Sequence, residues 1–155
     1  MHGRFDPFFI WLEATALSTW VRESPSLWAF PGVLSMHALG MGLVAGLNAA
    51  IDLRILGVAP RVPFAEIKRF VPLMWFGFWL NAVSGVILLA GYPTKALTNP
   101  VFYVKLMFIA VAVTAAVKAI PKASKLWAWL SLAGWFGAIT AGRLLAYTYT
   151  RLMAT

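Results

Sequence analysis

The sequence predicts an all-α integral membrane protein, an up-down-up-down bundle of four transmembrane helices preceded by a short interfacial amphipathic helix. Of its 155 residues, 61% are hydrophobic and only 12% are charged, whereas soluble domains usually carry about 25% charged residues. Four apolar segments approach or exceed the roughly 20 residues that cross a bilayer. The connections between them are short, so consecutive helices are expected to be antiparallel neighbours in a single domain covering residues 1–155.

Turn and capping residues set the limits of the four segments. Asn99 and Pro100 are typical of a helix start, because Asn caps free backbone amides and Pro suits the first helical position. Pro121 is expected to end the third segment, since proline disrupts a continuing helix. The predicted spans are residues 28–51, 71–91, 101–120 and 126–147.

The composition excludes several classes of function. The chain contains no cysteine, which excludes disulfides and thiolate metal sites. Its formal net charge is +8, but the basic residues lie between apolar runs, which indicates contact with a lipid bilayer rather than with nucleic acid. Glu13 interrupts the first apolar stretch and no A-x-A cleavage site follows it, so the N-terminus is expected to be retained.

Lysine and arginine predict the orientation in the membrane, because cytoplasmic loops carry an excess of both. One side has Arg4, Arg22, Lys95 and Arg151, with Lys105 and Arg143 near helix ends. The other side has the first and third connections, which hold Arg54, Arg61, Lys68, Arg69, Lys118, Lys122 and Lys125. This bias favours cytoplasmic basic connections and places both termini on the outer side.

Residues 8–21 are too short to span comfortably and form the predicted interfacial helix. Glu13 falls on its apolar face, where an unpaired carboxylate is costly. Glu13 is therefore expected either to reach the lipid headgroups or to meet a cation at the outer end of the bundle. At helical spacing the polar face has Thr15, Ser18, Thr19 and Arg22, and the apolar face has Phe9, Ile10, Ala16, Leu17 and Trp20.

One polar stripe runs along the first span. His37 is the only histidine within a span, and Met41, Asn48 and Asp52 follow it on the same helical face. Ionisable residues inside a membrane are functional candidates by default. Asp52 is expected to serve as an anchor near the cytoplasmic end, paired with Lys68 or Arg69.

The main candidate site lies in the outer leaflet. Lys105 lies about one turn inside the outer end of the third span, and Arg143 lies near the outer end of the fourth, in line with Tyr147. With His37 and Glu13 they are predicted to converge at one level of the bundle. The alternative is a satisfied structural network that holds the helices in register.

Other intramembrane residues favour packing. Asn81 is expected to act with Ser84 as an interhelical hydrogen-bonding group. Small residues can let helix backbones approach closely, or can make room for a flat cofactor. They form two stripes, one at Ala38, Gly42 and Gly46 and the other at Ala133, Gly137 and Ala141.

A haem b or a quinone is the cofactor considered for His37. A six-coordinate haem needs two axial ligands, usually two His or His and Met. His37 supplies one, and Met41 is one of the candidates for the second. The other candidates are Met36, Met74, Met107, His2 or a residue of a partner chain.

Several short motifs in order resemble a family of small, functionally uncharacterised bacterial inner-membrane proteins. They are Trp11-Leu12-Glu13, Arg22-Glu23-Ser24, His37-Ala38-Leu39-Gly40, Asp52-Leu53-Arg54-Ile55-Leu56-Gly57, Asn99-Pro100 followed by Lys105-Leu106, and Ala141-Gly142-Arg143. The resemblance covers nearly the whole chain and implies a short leading helix followed by four spans.

The layout is also distantly similar to copper-resistance membrane proteins and to cytochrome b-like bundles. Such bundles place histidines on facing helices, often for haem. In the resembled proteins a second histidine is expected late in the third span, whereas residues 117–120 here read Val-Lys-Ala-Ile. The resemblance implies no established activity.

Three functions remain open from the sequence. The first is a non-catalytic membrane subunit or accessory protein of a redox, electron-transport assembly, with a haem or quinone near His37 and Arg143. The second is a small proton-coupled transporter acting as a homo-oligomer, with Glu13 or His37 as the titrating group. The third is a purely structural or assembly protein. Enzymatic activity is not expected, and the partners are the bilayer and other membrane subunits or further copies of the chain.

Overall fold

The computed structural model describes residues 6–152, with side chains described for residues 7–148. The described residues form eight helices and no strand, which confirms the all-α prediction. Arg4, Arg151 and His2 lie outside the residues whose side chains are described. The helices are α1 (Asp6–Glu13), α2 (Ala16–Glu23), α3 (Phe30–Leu56), α4 (Phe64–Lys68), α5 (Val71–Gly91), α6 (Pro93–Leu97), α7 (Pro100–Lys122) and α8 (Lys125–Leu152).

Three stretches within residues 6–152 are long and apolar enough to cross a membrane, namely α3, Phe64–Gly91 and α7. They confirm the prediction of a helical membrane protein at this coarser level. The fourth predicted span lies within α8, which has 28 residues but is outside that set of three. The second span has the predicted bounds, whereas α3 continues five residues beyond the predicted Ile51.

Helix ends explain these bounds. Gly57 ends α3 in a left-handed conformation, with φ of 102°, and its N–H donates to the carbonyl of Arg54. The Val58 N–H donates to the Leu53 carbonyl at 2.9 Å, which completes a glycine-based C-terminal cap. At the start of α7 the side chain of Asn99 accepts from the Val101 N–H at 3.0 Å, as predicted for a capping residue.

The four long helices pack as two pairs. α3 packs against α5, α7 packs against α8, and the pairs meet mainly through α3 and α8. Gly40 lies against Gly77 and Asn81, while Gly134 lies against Ala112. These contacts bring the backbones of each pair close together.

The predicted small-residue stripe on α3 was wrong, because a different glycine makes the close approach. Ala38, Gly42 and Gly46 are all exposed, and a Cβ on Gly42 or Gly46 would meet nothing within 4 Å. A Cβ on Gly40 would lie 2.5 Å from the backbone nitrogen of Asn81. On α8, Gly137 of the second stripe packs against the ring of Phe108.

The bundle has two distinct ends. We call the end formed by residues 57–70 and 118–125 the basic end, because it has six exposed cations, namely Arg61, Lys68, Arg69, Lys118, Lys122 and Lys125. We call the opposite end, where α1, α2 and α6 lie, the pocket end. Between them is a core that includes Val44, Ile51, Met74 and Trp135.

The outward faces of the long helices are also apolar. Leu39, Phe76, Trp79 and Phe136 are between 59% and 74% exposed. A helix that is hydrophobic all round belongs in a membrane or in a large protein core. Apolar exposure on this scale therefore agrees with a lipid-facing surface.

Residues 8–21, predicted as one helix, are divided between α1 and α2. Thr15 causes the break, because its hydroxyl donates to the Leu12 carbonyl at 2.8 Å and accepts from the Ser18 N–H, so that it caps α2. Ser18 on the predicted polar face is buried and donates to the Gly91 carbonyl of α5. Ile10 and Leu17 on the apolar face are exposed, so the polar face is turned toward the bundle.

Candidate binding pocket at one end of the bundle

A pocket of about 260 Å³ lies between the long helices at the pocket end. All four long helices and α6 line it, and it is partly open to its surroundings. Most of the wall is apolar, with Leu34, Leu88 and Leu145 on three different helices. The polar side chains that line it are those of His37, Tyr92, Lys95 and Lys105.

The ring of His37 is held by α5. Its Nδ1 lies 3.0 Å from the Asn81 carbonyl and 3.2 Å from the Ser84 hydroxyl, while the Asn81 side chain donates to the His37 carbonyl at 2.7 Å. A carbonyl can only accept, so the 3.0 Å contact favours the tautomer with the hydrogen on Nδ1 and the lone pair on Nε2. The Asn81 amide nitrogen, 3.3 Å from the same Nδ1, makes its shorter bond to the His37 carbonyl. Gly85 makes room for the ring, since a Cβ there would lie 3.1 Å from its Cε1 atom.

Lys105 reaches the same pocket from α7. Its side chain lies along Gly142 of α8, where an added Cβ would be 3.8 Å from Nζ. Within the described residues, Lys105 has neither a hydrogen-bond acceptor nor an ion-pair partner. An ammonium group in an apolar setting is costly unless it is paired, so this group favours a ligand that supplies an oxygen or a negative charge.

The structure brings His37 and Lys105 together but not the other two predicted cofactor-binding residues. Arg143 does not line the pocket and is exposed on α8. Met41 is half-buried and packs against the core. Tyr147 is 68% exposed.

Glu13 has a local partner on α6. Its carboxylate accepts from the Thr94 hydroxyl at 2.6 Å, a neutral group, whereas the sequence predicted a cation or the lipid headgroups. Arg22 contacts the same segment, because it donates to the Glu13 backbone carbonyl at 2.8 Å and to the Gly91 carbonyl at 3.4 Å. Glu13 therefore belongs to the contact between α1 and α6 rather than to the pocket.

The predicted polar stripe on α3 separates into two clusters. The second is near the basic end, where the Asn48 amide donates to the Asp52 carboxylate and to the Ser131 hydroxyl of α8. The solvent exposure of all three residues is 0%. The predicted pairing of Asp52 with Lys68 or Arg69 is wrong, because Asp52 is buried while both cations are exposed. Arg69 forms an ion pair with Glu66 at 3.0 Å instead.

Sequence reasoning missed two features of the pocket and one of the second polar cluster. Lys95 was assigned only to the outer surface, Gly85 was not singled out, and Ser131 was not connected with Asp52. A lysine in a short connection and a lone glycine in a span carry no distinctive pattern. Only the packing of α6 and α5 around His37 reveals their places.

No family model, curated protein or solved structure matches the chain. Residues 6–152 also contain no cluster of three or more His, Cys, Asp or Glu side chains suited to a metal ion. The pocket geometry is therefore the basis for a functional proposal.

Proposed function

We propose that this chain is a non-catalytic integral membrane subunit that holds the headgroup of a quinone, or its quinol, in the pocket beside His37 and Lys105. The observation that carries the proposal is the convergence of an imidazole and an unpaired ammonium group in an otherwise apolar pocket. Ligand sites commonly combine apolar walls with a few placed polar groups. Electron transfer to or from the quinone would belong to a partner subunit.

The hydrogen-bonding groups match both forms of such a ligand. A quinone offers carbonyl acceptors, and the Lys105 ammonium is a donor. A quinol offers hydroxyl donors, and the free His37 Nε2 is an acceptor in the neutral ring. The partly open, apolar pocket would let a long tail run out into lipid.

The same pocket fits a two-ligand haem poorly. His37 resembles a metal ligand, because a ligating histidine usually donates its other ring nitrogen to a carbonyl or carboxylate. However, the described residues that line the pocket include no methionine and no second histidine. At about 260 Å³ it is also smaller than most ligand pockets, which are typically about 300–1,000 Å³, so it holds a single-ring headgroup more readily than a macrocycle.

We also propose that the chain crosses a bacterial inner membrane four times, with both termini outside. α8 has 28 residues and packs along α7, and Asn99 donates to Thr148 near its far end. The cations of residues 57–70 and 118–125 favour a cytoplasmic basic end. α1 and α2, with Ile10 and Trp11 more than 60% exposed, would then lie in the outer interface.

Quinone retention by the detergent-purified protein tests this function. We expect wild-type protein to retain quinone after purification and to bind a short-tailed quinone analogue. Lys105→Met should weaken the analogue's affinity by roughly ten- to a hundredfold, as expected for loss of a hydrogen bond to a charged group worth about 1.5–3 kcal/mol. Equilibrium dialysis with the full chain measures the affinity.

Arg143→Met is the matched control, because it removes an exposed cation of α8 that does not line the pocket. Its affinity should equal that of wild type. Absence of quinone binding by wild type, or equal losses in both variants, would contradict the proposal. In the same sample, air-oxidised and then dithionite-reduced, a Soret band lost in His37→Ala would instead identify a haem subunit.

A further inference from the structure

The second polar cluster, Asn48, Asp52 and Ser131, is separate from the pocket and has no role in the proposed quinone site. It joins α3 to α8 in the half of the bundle nearer the basic end. The Asn48 amide nitrogen donates to one carboxylate oxygen of Asp52 and to the Ser131 hydroxyl, the latter at 2.6 Å. All three side chains are fully buried.

Two oxygens in this cluster are left without a partner. Within the described residues, Oδ1 of Asn48 and Oδ1 of Asp52 accept no hydrogen bond although both are buried. A buried polar atom usually finds a partner, and each exception calls for an explanation. Both orphan atoms are acceptors, so they need hydrogen-bond donors or a cation. The Ser131 hydroxyl can donate one hydrogen bond to the Asp52 carboxylate, which leaves at least one acceptor without a partner in the described chain.

The carboxylate also lacks a compensating charge. Within residues 7–148 no ion pair includes Asp52. The charged side chains on the surrounding elements either contact other groups or are exposed. Arg54 donates to the carbonyls of Val62 and Pro60, Lys118 of α7 lies over the ring of Trp127, and Glu66, Lys68, Arg69 and Lys125 are exposed.

We propose that Asn48, Asp52 and Ser131 form a binding site for one exchangeable monovalent cation, a proton or a sodium ion. A single positive charge neutralises the single carboxylate, whereas a divalent ion would leave an excess charge in the apolar bundle. A proton on Asp52 would supply a donor, and a sodium ion would be bound by the oxygens directly, as hard cations prefer. Either cation accounts for the orphan acceptors.

Thermal unfolding of the detergent-purified full chain, followed by tryptophan fluorescence, tests the site. In one series sodium chloride replaces choline chloride at constant ionic strength and pH. In the other, sodium is absent and the pH runs from about 9 to about 5. If sodium is the ligand, the wild-type melting temperature rises by several degrees in the first series, and if a proton is the ligand it rises in the second.

Asp52→Asn removes the charge while keeping the shape. We expect it to lose the cation dependence and to melt at or above the wild-type temperature, because it no longer needs a neutralising ion. Glu66→Gln is the matched control, since it removes an exposed carboxylate near the same end, and it should keep the dependence. The proposal is overturned if the wild-type melting temperature depends on neither sodium nor pH. It is also overturned if the melting temperature of Asp52→Asn depends on them as that of wild type does.

Ser131→Ala provides a second route that leaves the carboxylate intact. Loss of one oxygen of the site should move the midpoint of the sodium or pH dependence without abolishing it. If Ser131→Ala has the same midpoint as the wild-type protein, the cation binds elsewhere. This result decides the question even if Asp52→Asn does not fold, and it is independent of quinone binding in the pocket.

Discussion

At the scale of single residues, Arg22 links three parts of the pocket end. Its guanidinium donates to the last carbonyl of α1, at Glu13, to the last carbonyl of α5, at Gly91, and to the Ser18 hydroxyl. A cation at a helix C-terminus satisfies free carbonyls and interacts favourably with the helix dipole. Arg22 therefore fixes α1 and α2 to the bundle.

Replacing Arg22 should therefore destabilise the protein. Arg22→Ala is expected to lower the free energy of unfolding by about 2 kcal/mol, because hydrogen bonds to charged groups contribute about 1.5–3 kcal/mol and the side chain is 24% exposed. Arg22→Lys should recover part of the loss. Thermal unfolding in detergent measures both variants. Arg143→Ala is the control, because Arg143 is exposed and has no hydrogen-bond partner in the described chain, and it should change the stability little. Equal losses of stability in Arg22→Ala and Arg143→Ala would refute the capping role of Arg22.

The residue scale also shows how much of the candidate site the sequence could predict. His37 and Lys105 were found because an ionisable group inside an apolar segment is conspicuous. Helical spacing alone placed Met41 on the same face as His37 and placed Arg143 at the same depth. It could not distinguish a side chain that faces the pocket from one that faces the core or the outside, because that depends on how α3 and α8 are rotated in the bundle.

At the scale of helices, close packing depends on which face a glycine occupies. Gly40→Ala should destabilise the protein by about 1–3 kcal/mol, as overpacking does, because the new Cβ would lie 2.5 Å from the Asn81 nitrogen on α5. Gly46→Ala is the matched control on α3, since its Cβ would meet nothing within 4 Å. It should leave stability unchanged or raise it by up to about 1 kcal/mol, the difference in helix propensity.

Thermal unfolding of the two alanine variants provides the comparison. Since both changes add one methyl group to the same helix, their difference reports the contact between α3 and α5 rather than helix propensity. Similar melting temperatures would show that the helices are farther apart than the structure places them.

Helix limits were predictable wherever a local signal exists. The Asn99 cap and the length of apolar runs placed α5 and α7 within two residues of their observed ends. Pro121 does not end α7 as predicted, because the helix continues through it to Lys122. The sequence rule ended the first span at Ile51 because a charge follows, but α3 continues to Leu56, since Asp52 is buried against α8 instead of reaching water. Burial of a polar side chain by a distant helix leaves no local pattern.

At the scale of the whole molecule, the arrangement of the helices explains where the pocket is. The pairs α3–α5 and α7–α8 meet mainly through α3 and α8. At the pocket end a space remains between the pairs, with α6 beside it, whereas Ile55, Ile120 and Ala128 fill the core nearer the basic end. A ligand that enters from the outer leaflet would therefore meet His37 and Lys105 and find a closed core beyond them.

The absence of native cysteine in the sequence makes the proposed topology directly testable. Single cysteines at the exposed positions Ala65, Thr98, Ala123 and Tyr147 can be labelled with a membrane-impermeant maleimide in intact spheroplasts and after lysis. If both basic connections are cytoplasmic, Ala65→Cys and Ala123→Cys react only after lysis, while Thr98→Cys reacts in intact spheroplasts. Tyr147→Cys tests the fourth span, because outside labelling requires α8 to cross the membrane. If Tyr147→Cys and Ala123→Cys both react only after lysis, α8 does not cross the membrane and the chain has three spans. If all four variants show the opposite labelling, the orientation is inverted and the pocket lies in the inner leaflet.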